Sequence, residues 1–209
     1  MSDLDLDELF KLWSKDDKTD LEKFLISDLY PFKWRLTDLW ATQYFREDKL
    51  DRALEIYETI PDSVWQVHNH EFHYYYKSEL VNDPFETNVY GRSYNGPSEN
   101  TYTKPEFVKE ILRLKKLSKE NDKDKARYAL LLGNAYYNMT YYGDSWHVTD
   151  LFRSGGNWGY VNNDNRYLVY ESELGKVENK KMNLARKYYE TALELAKNKE
   201  LAARACFML

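Results

Sequence analysis

Cysteine is almost absent. Cys206 is the only one in 209 residues, so no intrachain disulfide can form and stability must come from packing. Eight glycines and five prolines are roughly half the usual share, which disfavours a turn-rich β-sandwich or a Pro/Gly-rich disordered tract. No apolar run approaches the ~18 residues of a transmembrane helix. There is no excess of positive charge either: 30 Lys and Arg stand against 35 Asp and Glu, a net charge of −5. Phosphate neutralisation needs a clustered positive surplus, so nucleic acid is not the expected partner. The one basic cluster, Arg113 to Lys116, runs at once into Glu120, Asp122 and Asp124 and reads as a solvated helix face. The acidic amino terminus, Met1 to Glu8, lacks the basic and apolar regions of a signal peptide.

What the chain has is aromatic side chains and helical periodicity. Six Trp, 19 Tyr and nine Phe within a 43% hydrophobic composition can bury a core despite a mean hydropathy of −0.79. Leu6, Leu9, Phe10 and Trp13 lie at helical spacing. Leu21, Phe24, Leu25, Ile26 and Leu29 follow a charged break, with Thr19 and Glu22 placed as a capping box. These two stretches predict an amino-terminal helical hairpin over 1–31. A second pair is carried by Leu36, Leu39, Trp40 and Tyr44, then by Leu50, Ala53, Leu54, Tyr57 and Ile60. Pro61, Asp62 and Ser63 predict the start of a long helix reaching about Leu80. Thr103, Pro105 and Glu106 predict a helix to about Glu120. Further helices are expected over about 124–142 and 180–197, and again from Lys199 with Asn198 as its cap. Between them lie two breaks, 82–103 and 143–179, the second holding five of the eight glycines.

The helix pairs repeat a pattern. Trp40-Ala41-x-x-Tyr44 followed by Ala53-x-x-x-Tyr57-x-x-Ile60 has the spacing of Leu132-Gly133-x-x-Tyr136 followed by Ala185-x-x-x-Tyr189-x-x-Ala192. These segments resemble the tetratricopeptide (TPR) repeat, in which a small residue on the first helix admits a ring from its neighbours. Tyr44, Tyr57, Tyr136 and Tyr189 are expected to fill the space that Ala41 and Gly133 leave. The run Tyr188 to Ala196 is also similar to TPR proteins of the cell envelope in Bacteroidetes-type bacteria. The resemblance implies an all-α, right-handed α-α solenoid of TPR-like helix pairs over 32–209, with insertions at 82–103 and 143–179. Only the unit at about 34–67 keeps a 34-residue length; the unit pairing 63–81 with 105–120 lacks the small-residue signatures. The compartment stays open between the cytoplasm and a bacterial cell envelope. The helical pattern still running at Leu209 predicts further repeats beyond it and pairing between copies through the carboxyl-terminal helix.

Both insertions fall between the first and second helix of a unit, so they are expected to emerge side by side. They carry Tyr90, Arg92, Tyr94 and Tyr102 on one side and Trp146, Arg153, Trp158 and Tyr160 on the other. Such rings either pack the insertions onto the helices or read a ligand, and Arg and Asn beside them suit peptide groups, carboxylates or sugar hydroxyls. No catalytic constellation is apparent. His68, His70 and His73 lack an H-E-x-x-H arrangement and, with His147, read as structural or surface histidines rather than metal ligands. Ser154-Gly155-Gly156 and Gly159 read as turn residues. Cys206, in an apolar helical context, is expected to be a buried small residue. The expectation is a protein or peptide-binding scaffold without cofactor or metal. The competing expectation is carbohydrate binding through the aromatic insertions, implied by similarity to starch-utilisation lipoproteins, which join TPR-like helices to aromatic-rich insertions.

Overall fold

A computed structural model describes residues 6–65, 79–80, 83–86, 102–120, 123–140, 142–143, 145–149 and 182–209, with the backbone alone for 79–80 and 147. The architecture is all-α. In chain order the helices are α1 (Leu6–Ser14), α2 (Asp20–Ser27), α3 (Lys33–Arg46), α4 (Leu50–Tyr57), α5 (Asp62–Trp65), α6 (Lys104–Glu120), α7 (Lys125–Asn138), α8 (Asn183–Leu195) and α9 (Lys199–Met208), with 3-10 turns at Tyr30–Phe32 and Trp146–Val148. Two residues of β1 (Glu79–Leu80) pair antiparallel with β2 (Tyr102–Thr103), Glu79 opposite Thr103 and Leu80 opposite Tyr102.

The helix starts follow local chemistry. Thr19 Oγ1 accepts from the Glu22 backbone N–H, and Glu22 returns the bond by accepting from the Thr19 N–H at 2.7 Å. Thr103 and Glu106 repeat the exchange ahead of α6, and Asn198 caps α9 by accepting from the Glu200 N–H at 2.8 Å. The end of α3 is less usual. Asp48 takes a left-handed backbone, φ 57°, so that its own N–H donates to the Phe45 carbonyl and the Lys49 N–H to the Tyr44 carbonyl, each at 3.0 Å. That is a Schellman closure with aspartate where glycine is usual.

The core runs from α3 to α9. Ala41, Phe45, Ala53, Ile56 and Tyr57 of the first pair meet Phe107, Val108, Ile111 and Leu114 of α6, with the Phe45 and Phe107 rings edge to face at 6.1 Å. Helix α7 contacts both α6 and α8, and α9 packs on α8. At Gly133 on α7 the helices α7 and α8 approach closely: a Cβ there would lie 2.6 Å from Cδ1 and Cε1 of Tyr189. The expected role of Gly133 is therefore met directly, with Ala185, Tyr189 and Ala192 all buried beside it.

Three expectations are corrected. The helix expected to reach Leu80 does not: α5 is described over Asp62–Trp65, residues 66–78 lie outside the described residues, and Glu79–Leu80 is extended, held by its ladder to β2. Cys206 is exposed. Helix α9 turns Leu201, Ala205 and Met208 inward, at i, i+4 and i+7, and Cys206 stands one residue, about 100°, off that face. Finally, Tyr44 is only half-buried, and its hydroxyl bonds to α1. In α2 the apolar stripe also turns outward, with Leu21, Phe24 and Leu25 at 55–67% exposure and Ile26 alone buried.

Candidate functional site

Two asparagines in the last turns of α7 organise the roots of both insertions. Asn134 donates from Nδ2 to the Phe85 carbonyl at 2.7 Å, and Asn138 donates to the carbonyls of Pro84 and Glu86 at 2.9 and 2.8 Å. These bonds fix the start of the first insertion. The backbone carbonyl of Asn138 meanwhile accepts from the Ser145 N–H at 2.9 Å, and Thr149 donates from Oγ1 to the Met139 carbonyl at 2.7 Å. Arg46 of α3 donates from Nε to the Thr149 carbonyl. Gly143 makes this approach feasible, because a Cβ there would run into the Asn138 backbone, which cannot step aside. The described starts of the two insertions, 84–86 and 143–149, thus both meet the carboxyl end of α7.

Of the sequence-selected residues, two are described. Tyr102 closes the first insertion in β2, its ring edge-on to Phe85 at 5.4 Å; burial, then the charge of Asp83, pushes its phenol pKa up. Trp146 is half-buried in the 3-10 turn beside Ser145. Tyr90, Arg92, Tyr94, Arg153, Trp158 and Tyr160 lie outside the described residues, as do His68, His70, His73 and the side chain of His147. Among the described residues no group of three or more His, Cys, Asp or Glu is arranged to hold a metal ion. None of the described helices is long and apolar enough to cross a membrane.

A cavity of about 530 Å³ opens beside Thr103, walled by Tyr57, Ile60, Trp65 and Pro105 and edged by Glu58, Asp62, Glu106 and Lys109. Lys109 is paired with Glu58 at 2.8 Å. A second cavity, about 330 Å³, lies between α4 and α6 and is lined by Asp48, Asp51, Lys115, Lys116 and Lys119 among others. Polar ties cross the molecule around these openings. Lys104 is buried and donates to Asp38 at 2.7 Å, with Thr42 at 3.5 Å, and Thr42 in turn shares a hydrogen bond of 2.9 Å with the Tyr57 hydroxyl. Asp48 accepts from Lys115 with both oxygens at 2.8 Å and from the Tyr136 hydroxyl. The Tyr136 ring stacks on Tyr188 at 5.4 Å, and burial pushes the Tyr188 phenol up to about 12, with Asp48 adding to the shift.

One side-chain cluster was not anticipated from the sequence. On the exposed side of α3, Asp7 of α1 accepts from the Trp40 indole N–H and from the Tyr44 hydroxyl, the latter at 2.9 and 3.1 Å to its two oxygens. Phe10 stacks flat on Trp40 at 4.3 Å, and the Arg52 guanidinium sits 5.4 Å from the Trp40 ring centroid and 5.8 Å from that of Tyr44. The Trp40 hydrogen bond holds the Asp7 carboxyl below its ordinary pKa, against the opposing effect of burial and helped by Tyr44. A usable signal existed: Asp7 and Phe10 one turn apart on α1, and Trp40 and Tyr44 one turn apart on α3. No protein-family model, curated protein or solved structure matches the chain.

Proposed function

We propose that this chain is a non-enzymatic, protein-binding scaffold built from helix pairs of the tetratricopeptide type, with its partner held at the aromatic insertions. One observation carries the reading. In both pairs the residue after the small one hydrogen-bonds the tyrosine of the second helix: Thr42 with Tyr57 at 2.9 Å, and Asn134 Oδ1 accepting from Tyr189 at 3.0 Å. Equivalent positions making equivalent bonds are what a repeated unit produces. Such units stack to present surfaces, and the insertions rooted at Asn138 are where this chain departs from the plain unit. Long insertions between regular elements are commonly functional.

The test is a peptide-library selection and a glycan array on the full chain, repeated with the paired variants Tyr90→Ala/Tyr94→Ala and Trp158→Ala/Tyr160→Ala. Selected peptides that lose at least tenfold in affinity to either variant, at unchanged melting temperature, support the scaffold. Array hits with the same sensitivity, and no peptide, move the insertions to carbohydrate recognition. Ligands indifferent to both variants overturn the site.

A further inference from the structure

The helix α1 lies on the rest of the fold in a manner unlike any interior helix. None of its described residues is fully buried, whereas α7 buries eight. Its hold is concentrated in a few groups: Asp7 on Trp40 and Tyr44, and Phe10 on Trp40 and Trp13, with Trp13 edge-on to Tyr30 at 6.4 Å. Nine residues are too few for a helix to be stable alone in water, so α1 is helical because α3 receives it. The receiving surface is matched to an acid with an aromatic neighbour. It offers an indole N–H and a phenol O–H converging on one carboxylate, a flat ring for stacking, and two cations at its border, each already paired within the chain: Arg52 over both rings and bound to Glu55 at 2.9 Å, and Lys49 5.7 Å from the Tyr44 ring centroid and bound to Glu47 at 2.6 Å.

We propose that the Trp40, Tyr44 and Arg52 surface is a docking site for a partner's amphipathic helix carrying an aspartate with an aromatic residue three positions on, and that α1 is its tethered stand-in. The seated α1 defines the chemistry that the partner reproduces, by the helix-in-groove mode of recognition. Tethering sets the affinity. A segment joined to α3 through residues 15–32, α2 included, is present at an effective concentration on the order of millimolar, so a free helix competes poorly until α1 is released. Docking is therefore self-limited, and it rests on the scaffold reading for its use but on a different surface from the insertions.

A fluorescein-labelled peptide spanning residues 3–16 is the probe, titrated by anisotropy against the full chain and against the full chain carrying Asp7→Asn and Phe10→Ala. The released chain is expected to bind at least tenfold tighter than the original. Adding Arg52→Ala and Tyr44→Phe to it abolishes the gain, and a peptide with the two α1 substitutions does not bind. Equal binding by the original and released chains overturns the proposal. Hydrogen exchange on the unaltered chain guards against a released variant that fails to fold. The α1 amides should exchange well before those of α3, and millimolar peptide should accelerate α1 alone; α1 as protected as α3 also overturns the proposal. Failure here while the insertion variants still lose their ligands leaves the scaffold intact. The converse result moves its binding site to α3.

Discussion

The pair α3/α4 buries Ala41 and Tyr57 and joins the tyrosine hydroxyl to Thr42; the pair α7/α8 buries Gly133 and Tyr189 and joins the hydroxyl to Asn134. The second tyrosines correspond as well. Tyr44 donates to Asp7 and Tyr136 to Asp48, each an acid from the preceding part of the chain, and each ring has a lysine Nζ near its face, Lys49 at 5.7 Å and Lys115 at 5.4 Å. What differs is what the second polar residue does with its remaining capacity. Thr42 is linked through Lys104 to the buried Asp38, whereas Asn134 turns its amide to the Phe85 carbonyl and anchors an insertion. The shared bonds make the helix pair, and the unshared ones adapt it, one to an ion pair under α6 and the other to a loop root.

Breaking the ion pair should have the largest effect. Asp38 and Lys104 have side chains 4% and 5% exposed, so Asp38→Ala strands a buried ammonium whose remaining tie among the described residues is Thr42 at 3.5 Å, at a cost of about 3–5 kcal/mol. Urea unfolding at unchanged slope should report it as a lowered midpoint. Asp38→Leu with Lys104→Met should recover most of the loss. A single variant as stable as the original chain would mean that water reaches Lys104.

Next comes the glycine. In Gly133→Ala the new Cβ meets a Tyr189 ring that is fully buried and pinned at its hydroxyl. Overpacking of this kind costs about 1–3 kcal/mol against about 1 kcal/mol gained by removing a helix-interior glycine, so a net loss is expected. Ala41→Gly leaves a small void and a poorer helix former, and should destabilise by roughly 1 kcal/mol. If Gly133→Ala stabilises the chain instead, the close approach of α7 and α8 is not what glycine is there to permit.

How far these features were legible in the sequence depends on their range. The capping boxes at Thr19 and Thr103 are read within four residues, and the Gly133 and Tyr189 lock was visible because two helix pairs share its spacing. Lys104 gives no sign of burial, since a lysine beside Pro105 looks like any helix start. Asp48 sits in the charged run Arg46-Glu47-Asp48-Lys49 between two helices, yet its left-handed backbone closes α3 while its carboxylate binds α6 and α7. The two-residue ladder of β1 and β2 has no period to detect. At the candidate site the sequence selected the insertions, but the residues that root their described starts, Asn134, Asn138 and Gly143, carry no motif.

The tyrosine hydroxyls separate the two pairs more finely. Tyr189→Phe leaves the buried Asn134 Oδ1 without its donor, costing about 1–3 kcal/mol. Tyr57→Phe leaves Thr42 beside Lys104, with a loss of about 1 kcal/mol or less. Thermal unfolding of the two variants side by side should rank them in that order, and the reverse ranking would place the stronger tie in the first pair.

The smallest effect is the acid release of α1. The carboxyl of Asp7 titrates below its ordinary value, chiefly because the Trp40 indole donates to it. A depressed pKa in the folded state means that the stabilisation is complete above the unfolded value of about 3.9 and is lost as pH falls through the folded value. Helix α1 should accordingly stay seated at neutral and mildly acidic pH and loosen only in stronger acid. Asp7 is exposed, so the change should barely move the global unfolding midpoint and should appear locally in the emission of Trp40 and its neighbour Trp13. The emission difference between the original chain and Asp7→Asn isolates the event: it should be present at pH 6 and vanish as the carboxylate is protonated. No difference at pH 6 would show that Phe10 stacking, rather than the aspartate, seats the helix. The equivalent tie at Tyr136 then gives the contrast, because Lys115 clamps both oxygens of Asp48 at 2.8 Å and α7 is held by its packing whatever that acid does.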